Sequence, residues 1–290
     1  MAMPPKPWPT GETEQVEPLV RRVLAPNGSP FTYTGTQTYL VGGMEGLAVI
    51  DPGPADEAHL DALERAIDGA PVTAILCTHT HRDHSPASRP LAARTGAPII
   101  GCAPLVLETH GPRADVPFDQ DYEPDRIMDD GGKVDGPGWT LTAVATPGHT
   151  SNHLCFALGG TGALFTGDHV MGWSTTVVAP PDGDMADYMA SLEKLQARED
   201  RIYYPAHGPA IGNPRQLVRG MIGHRRQRER QILRLLGEAP QTIAALVPQM
   251  YKGVPEFLWP AAGMSVLAHL LDLERRGQVA RSEDIWTKTS

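Results

Sequence analysis

Thr78-His79-Thr80-His81-Arg82-Asp83-His84 is the stretch on which the reading of this chain turns. It follows Val72-Thr73-Ala74-Ile75-Leu76-Cys77, an apolar run rich in β-branched residues behind Pro71. That run reads as a short buried strand ending where the histidines begin. Three histidines and an aspartate just past a strand end form a donor set that suits zinc or a similar divalent ion. In an extended segment His79 and His81 point to the same side. Asp83 and His84 follow as the chain turns, and so can face a second ion. A solvated histidine-rich loop is the competing reading, but directly behind a buried strand the H-x-H-x-D-H spacing favours a metal site.

Three further stretches share one grammar: an apolar strand, a glycine or proline turn, then a ligand-type residue. They are Thr146-Pro147-Gly148-His149-Thr150, Phe165-Thr166-Gly167-Asp168-His169 and Tyr204-Pro205-Ala206-His207-Gly208. Each alone is an ordinary structural turn. Together with the first motif they suit a layered fold whose site runs along one edge. Asp51 closes the apolar run 47–50 beside Pro52-Gly53-Pro54. It either caps that turn or supports the metal ligands, and the sequence leaves both open.

Periodicity predicts strands over 19–24, 35–43, 47–51, 97–101, 126–134, 140–146, 153–158, 163–165 and 202–204. Helical spacing covers 55–67, 186–195 and 85–94, the last with Ser85 as N-cap and Pro86 in the first turn. Residues 1–16 read as a polar, proline-rich lead. A chain of 290 residues that is 41% hydrophobic can bury a large core, and its 28 prolines and 30 glycines imply many tight connections. Cys77, Cys102 and Cys155 sit in apolar segments and read as buried thiols of a reducing compartment. No signal core and no run of about 18 apolar residues is present, so a cytoplasmic protein without membrane contact is expected. The net charge of −9 argues weakly against a broad nucleic-acid surface.

Beyond His207, residues 215–236 read as one long helix carrying Arg219, Arg225, Arg226, Arg228, Arg230 and Arg234. This basic face is either solvated or a contact for an anionic substrate. Residues 241–250, 261–276 and 278–286 then read as helix, helix and a short strand pair, a winged-helix-like pattern. The Leu267, Leu270, Leu271, Leu273 stripe is core.

H-x-H-x-D-H followed in order by Gly-His, Gly-Asp and His-Gly resembles the metallo-β-lactamase fold superfamily over residues 20–212. The resemblance implies an α/β protein: an αββα four-layer sandwich over 17–212 with a dinuclear metal site, followed by a small C-terminal winged-helix-like module over 213–290. Carried over, His79, His81 and His149 bind the first ion. Asp83, His84 and His207 bind the second, and Asp168 bridges them. Asn27-Gly28-Ser29-Pro30-Phe31, residues 35–42, Ser174-Thr175-Thr176-Val177, His224-Arg225 and residues 251–277 are similar to the group around β-lactamase-like protein 2. Two positions depart from that group: Gln37 stands where asparagine is usual, and His169 where cysteine is common.

The function implied is a hydrolase with two zinc ions, or with manganese or iron at one site. A metal-bridging hydroxide would attack a small carbonyl substrate such as a thioester, ester, lactone or β-lactam. Asp83 and Asp168 are the expected catalytic carboxylates, and Gln37, His224 and Arg225 the expected substrate contacts at the entrance. The alternative is an endoribonuclease acting on single-stranded RNA, with a homodimer as a further candidate assembly. The acidic net charge and the lack of stacking aromatic residues near the basic helix lean towards the small-molecule hydrolase. A scaffold that has lost catalysis is disfavoured by the complete ligand set, and a dedicated antibiotic-resistance enzyme by the missing export segment.

Overall fold

The computed structural model describes residues 3–105 and 118–289. Seven strands form the first sheet: β1 (Thr13–Glu17), β2 (Val20–Leu24), β3 (Gln37–Gly43), β4 (Gly46–Ile50), β5 (Val72–Cys77), β6 (Ile99–Gly101) and β7 (Arg126–Ile127). They lie side by side in chain order, antiparallel from β1 to β4 and parallel from β4 to β7. Parallel neighbours need crossovers. Helices α1 (Glu57–Ile67) and α2 (Ser88–Thr95) supply those on either side of β5.

The second sheet holds β8 (Lys133–Gly136), β9 (Trp139–Ala145), β10 (Leu154–Leu158), β11 (Ala163–Gly167) and β12 (Ile202–Pro205), in the spatial order β12-β11-β10-β9-β8. Its one parallel pair, β11 with β12, is joined through α3 (Met185–Gln196). Alternation along the strands separates three apolar layers. Tyr39, Val41, Ile50 and Leu76 point between the sheets against Leu141, Phe156 and Phe165. Leu40, Val49 and Ile75 point the other way, under Leu60, Leu63 and Leu91 of the helices. Beyond the second sheet, Cys155, Leu164 and Tyr203 meet Tyr188 and Leu192 of α3. Helix, sheet, sheet, helix is the four-layer order that the family resemblance implies.

The two sheets also meet at a hydrogen bond from Trp139 Nε1 to Gly46 O of 3.1 Å. The β3–β4 hairpin can approach that indole only because of Gly42. A Cβ there would lie 2.5 Å from Trp139 Nε1, and its φ of +124° is open to glycine.

A 25-residue helix, α4 (Pro214–Glu238), leads into α5 (Ile243–Met250), α6 (Trp259–Arg275) and the antiparallel pair β13 (Val279–Ser282) and β14 (Ile285–Lys288). The first half of α4 packs Val218, Met221 and Ile222 against the α3 layer. Its second half joins a separate core with Leu246, Leu270, Leu273 and Trp286. The Leu267–Leu273 stripe therefore belongs to a core, as its spacing implies.

Three local expectations are corrected. Residues 13–17 are not part of a loose lead but pair as the edge strand β1, so the sheet starts before residue 17. Ser85 does not cap α2, which begins at Ser88; its hydroxyl bonds Asp119 Oδ2 at 2.7 Å. The predicted strand 126–134 is two strands in different sheets, β7 and β8, because the chain turns at Gly131 with φ +79°. All three cysteines are free and buried.

Several buried histidines outside the ligand motifs affect stability. Burial pushes His269 down to about 3, helped by the positive Arg225 nearby, and pushes His169 down to about 3 as well. A base with a depressed folded pKa stays neutral in the fold and takes up a proton on unfolding. Its contribution is therefore complete above about pH 6.5 and is lost as pH falls towards 3. At pH 5 each such group costs about 2 kcal/mol relative to neutrality. Neither ring nitrogen of His269 has a hydrogen-bond partner among the described residues. His269→Leu is therefore expected to raise the melting temperature more at pH 5 than at pH 7.5. Parallel melting-temperature curves for the two proteins across that range would refute it.

Candidate metal centre

The site grows from the ends of β4 and β5. Asp51 directly follows β4 with φ +48°, a left-handed conformation that aspartate tolerates better than most residues. This turns its carboxylate across to the next strand rather than onto its own turn. Oδ1 accepts from the Thr78 main-chain N–H at 2.8 Å, and Oδ2 accepts from the Thr78 hydroxyl at 2.8 Å and from His84 Nδ1 at 3.0 Å. Of the two readings left open for Asp51, the supporting one is what the geometry shows.

These partners fix the imidazole tautomers. The Thr78 hydroxyl proton goes to Asp51, so its oxygen accepts from His79 Nδ1 at 3.0 Å and leaves His79 Nε2 bare. His149 Nδ1 donates to Val177 O at 2.7 Å and His207 Nδ1 to Gly35 O at 3.2 Å. His84 Nδ1 donates to Asp51. In all four rings Nδ1 is committed to an outer partner, which leaves Nε2 facing inward.

The ligand atoms converge in two groups, each with its donor atoms within 4.8 Å of one another: His79, His81, His149 and Asp168, and Asp83, His84, Asp168 and His207. In the first, His81 Nδ1 lies 2.9 Å from His79 Nε2 and 3.2 Å from His149 Nε2. In the second, Asp83 Oδ2 is 3.1 Å from His207 Nε2 and 3.4 Å from His84 Nε2. Donors about 2.0–2.1 Å from a shared tetrahedral ion stand about 3.3 Å apart. Asp168 belongs to both groups by opposite oxygens. Oδ2 faces His149 at 3.7 Å, while Oδ1 faces His207 at 3.3 Å and His84 at 3.6 Å.

Bare imidazole nitrogens turned on one another repel unless a cation lies between them. One shared proton satisfies one pair at a time; a divalent ion satisfies all. Asp83 Oδ1, His84 Nε2 and Asp168 Oδ1 are moreover buried with no hydrogen bond among the described residues, and such groups are costly unless an opposite charge faces them. The donor set therefore fits two metal ions. Electrostatics agree. Burial, then the neighbouring rings, drive His79 well below its ordinary pKa. Burial also opposes the charge on His84 and His207, yet the carboxylates of Asp83 and Asp168 raise both, His207 to about 10.

All seven predicted ligand residues come together; the three predicted substrate contacts do not. Gln37 is buried, its amide NH2 bonded to Pro205 O and Gly208 O and its oxygen to Arg22. It links the first sheet to the His207 turn, and its NH2 donors are taken by main-chain carbonyls there. Arg225 lies inside the protein, 3% exposed, bonded to Thr176 O and over the Tyr188 ring, and not at a mouth. His224 lines a groove of about 730 Å³ with Gly172, Thr175, Leu217 and Met221, and Gln37 borders a separate cavity of about 720 Å³ with Arg22, Tyr33 and Gly208. His169 is in neither donor group and packs on Tyr188 at 4.7 Å.

Sequence reasoning missed several supporting residues. His153 Nε2 accepts from the Asp168 N–H at 3.2 Å, and Thr176 Oγ1 reaches Asp168 O at 2.7 Å. A buried histidine just before β10 was the available signal for the first; a lone threonine in a loop gives none. The Gly148 turn allows close approach as expected, and what approaches is α3. A Cβ on Gly148, whose φ is +132°, would lie 2.3 Å from the Tyr188 main chain.

Fold and site together define a metal-dependent enzyme of the lactamase type, and comparison with known proteins agrees. Residues 32–207 match the Metallo-beta-lactamase superfamily, and the chain belongs to it. Residues 242–286 match the Beta-lactamase associated winged helix domain. The chain is 34% identical over 278 residues, 91% of either protein, to a Beta-lactamase-like protein 2 homolog of Drosophila melanogaster. It is 35% identical over 228 residues to an atrochrysone carboxyl ACP thioesterase of Paecilomyces divaricatus, covering 78% of this chain and 67% of the relative. A beta-lactamase domain protein from Burkholderia ambifaria has the same fold, with a TM-score of 0.79 at 21% identity over 97% and 94% of the two chains. No helix among the described residues is long and apolar enough to cross a membrane.

Proposed function

We propose that this chain is a dinuclear zinc hydrolase that cleaves a thioester or a closely related activated acyl substrate. The observation that supports it most is Asp168, whose two oxygens face two separate donor groups. His79, His81 and His149 would hold one ion; Asp83, His84 and His207 the other, with Asp168 between. Two divalent ions bound there supply a polarised carbonyl oxygen and a water acidified to near neutrality.

The residues themselves do the rest. Asp51 and Thr78 fix the rings of His84 and His79, and His153 and Thr176 fix Asp168 from its N–H and its carbonyl. Asp83 turns Oδ2 to His84 and His207 and keeps Oδ1 free of hydrogen bonds. Oδ1 is thus placed to take the proton of the attacking water and pass it to the leaving group. All of these residues precede α4, and α4 and α6 pack against the α3 layer.

The thioester class is favoured by the similarity to the Paecilomyces thioesterase. A parallel screen of zinc-loaded protein on acyl thioesters, lactones, β-lactams and single-stranded RNA tests it. Thioesters are expected to be cleaved at least about tenfold faster than the other acyl substrates. Cleavage of RNA without hydrolysis of any thioester would replace this reading with the nuclease one.

A further inference from the structure

We infer that Arg225 is a positioning residue of the metal centre: through the Thr176–Val177 main chain it holds Asp168 and His149 in place. This role rests on the metal-centre reading above, though not on the substrate class. Val177 O accepts the Nδ1–H of His149 at 2.7 Å, which fixes that ring's tautomer and orientation. Thr176 Oγ1 lies 2.7 Å from Asp168 O and 3.1 Å from His169 O. Two adjacent residues thus restrain one ligand of the first donor group and the main chain of Asp168, whose carboxylate both groups share.

The stretch that carries these two residues belongs to no helix or strand over 172–180, so no ladder of hydrogen bonds holds it. Arg225 supplies the missing restraint from α4. Its guanidinium donates to Thr176 O, and its face lies 5.1 Å from the Tyr188 ring centre. Tyr188 in turn donates to His169 O at 3.0 Å. Tyr188 and Thr176 therefore both hold the main chain at residues 168–169, and Arg225 braces the two of them. Among the described residues no carboxylate pairs with Arg225, so a simple ion pair that pins the helix does not account for it. A planar guanidinium suits the position because it stacks on the ring and donates sideways at once. One residue of the C-terminal region is thereby tied to the ligands of the catalytic domain.

Removing an outer hydrogen-bond partner of a metal ligand typically weakens metal binding about 10- to 100-fold. The metal-loaded full chain, titrated with a chelator, reads this directly. Arg225→Met is expected to release its ions at about 10- to 100-fold lower chelator concentration than the wild type, and Arg225→Lys, which keeps a donor and a charge, at an intermediate one. Arg228→Met is the comparison. Arg228 lies 4.6 Å over Tyr251 and donates to Met250 O at 2.6 Å, within the C-terminal residues. Its loss is expected to lower the melting temperature and leave metal retention unchanged. Wild-type retention in folded Arg225→Met, or an equal loss in Arg228→Met, overturns the positioning role. Should Arg225→Met not fold, retention by Arg225→Lys decides in the same way. A wild type that takes up no metal refutes the metal centre itself, whereas one that binds metal and leaves thioesters intact refutes only the substrate class.

Discussion

Replacing Asp168 by alanine is expected to lower kcat/KM by about 10³-fold or more while the protein still folds. Each ion of a two-metal site contributes several kcal/mol of transition-state charge stabilisation, and about 4 kcal/mol corresponds to that factor. Asp168 gives Oδ2 to the His149 group and Oδ1 to the His84 and His207 group, so one substitution removes a donor from both. The turn itself survives, because its restraints are made by the main chain: the N–H to His153 and the carbonyl to Thr176. Asp168→Asn keeps the shape but not the second anionic oxygen, and should fall nearly as far. Elemental analysis beside kinetics on one preparation checks the result. Two retained ions with activity within tenfold of wild type would show that Asp168 bridges nothing.

Stripping the metal is expected to abolish activity and lower the melting temperature by roughly 10 °C, both recovering with two equivalents of zinc per chain. An ion held about a thousandfold below its working concentration adds about 4 kcal/mol to the folded state, at about 2–4 °C per kcal/mol for a chain of this order of size. The metal-free protein should nonetheless fold, because protons partly replace the ions. Asp83 and Asp168 raise His84 and His207 against burial, His207 to about 10. A raised folded pKa gives stability that is complete below the ordinary value near 6.5 and is lost as pH climbs through about 10. Stabilisation by zinc should therefore be larger at pH 9 than at pH 7, since fewer protons compete for the donors. Scanning calorimetry with and without chelator at both pH values measures it; a smaller zinc effect at pH 9 contradicts it.

What the sequence made legible follows from how each residue is held. The ligands could be read because each stands at the end of an apolar strand beside a glycine or proline. That placement is dictated by local chain geometry, and local patterns report it. β1 was missed because Thr13–Glu17 is a polar edge strand that pairs only with β2 and buries little. Thr176 and His153 hold Asp168 from 8 and 15 residues away in the chain, and nothing next to them announces such partners. Arg225 misled for a related reason. Arginines spaced along a helix read as a solvated or substrate-facing surface, yet this one faces inward, matched to a carbonyl 49 residues away in the chain. Gln37 also seemed exposed to substrate, while its amide is held by the strand that carries His207.

The chain order of the donors has a consequence for biosynthesis. His84 and His207 are 123 residues apart (207 − 84). At about 5–20 residues per second of translation, the last ligand leaves the ribosome roughly 6–25 s after the first cluster. Asp168, which both donor groups share, and His149, which completes the first, also belong to the later half. A growing chain thus shows an unfinished half-site for many seconds, long after β5 has been made. The full donor set exists only once His207 has emerged, by which point every strand of both sheets has been made.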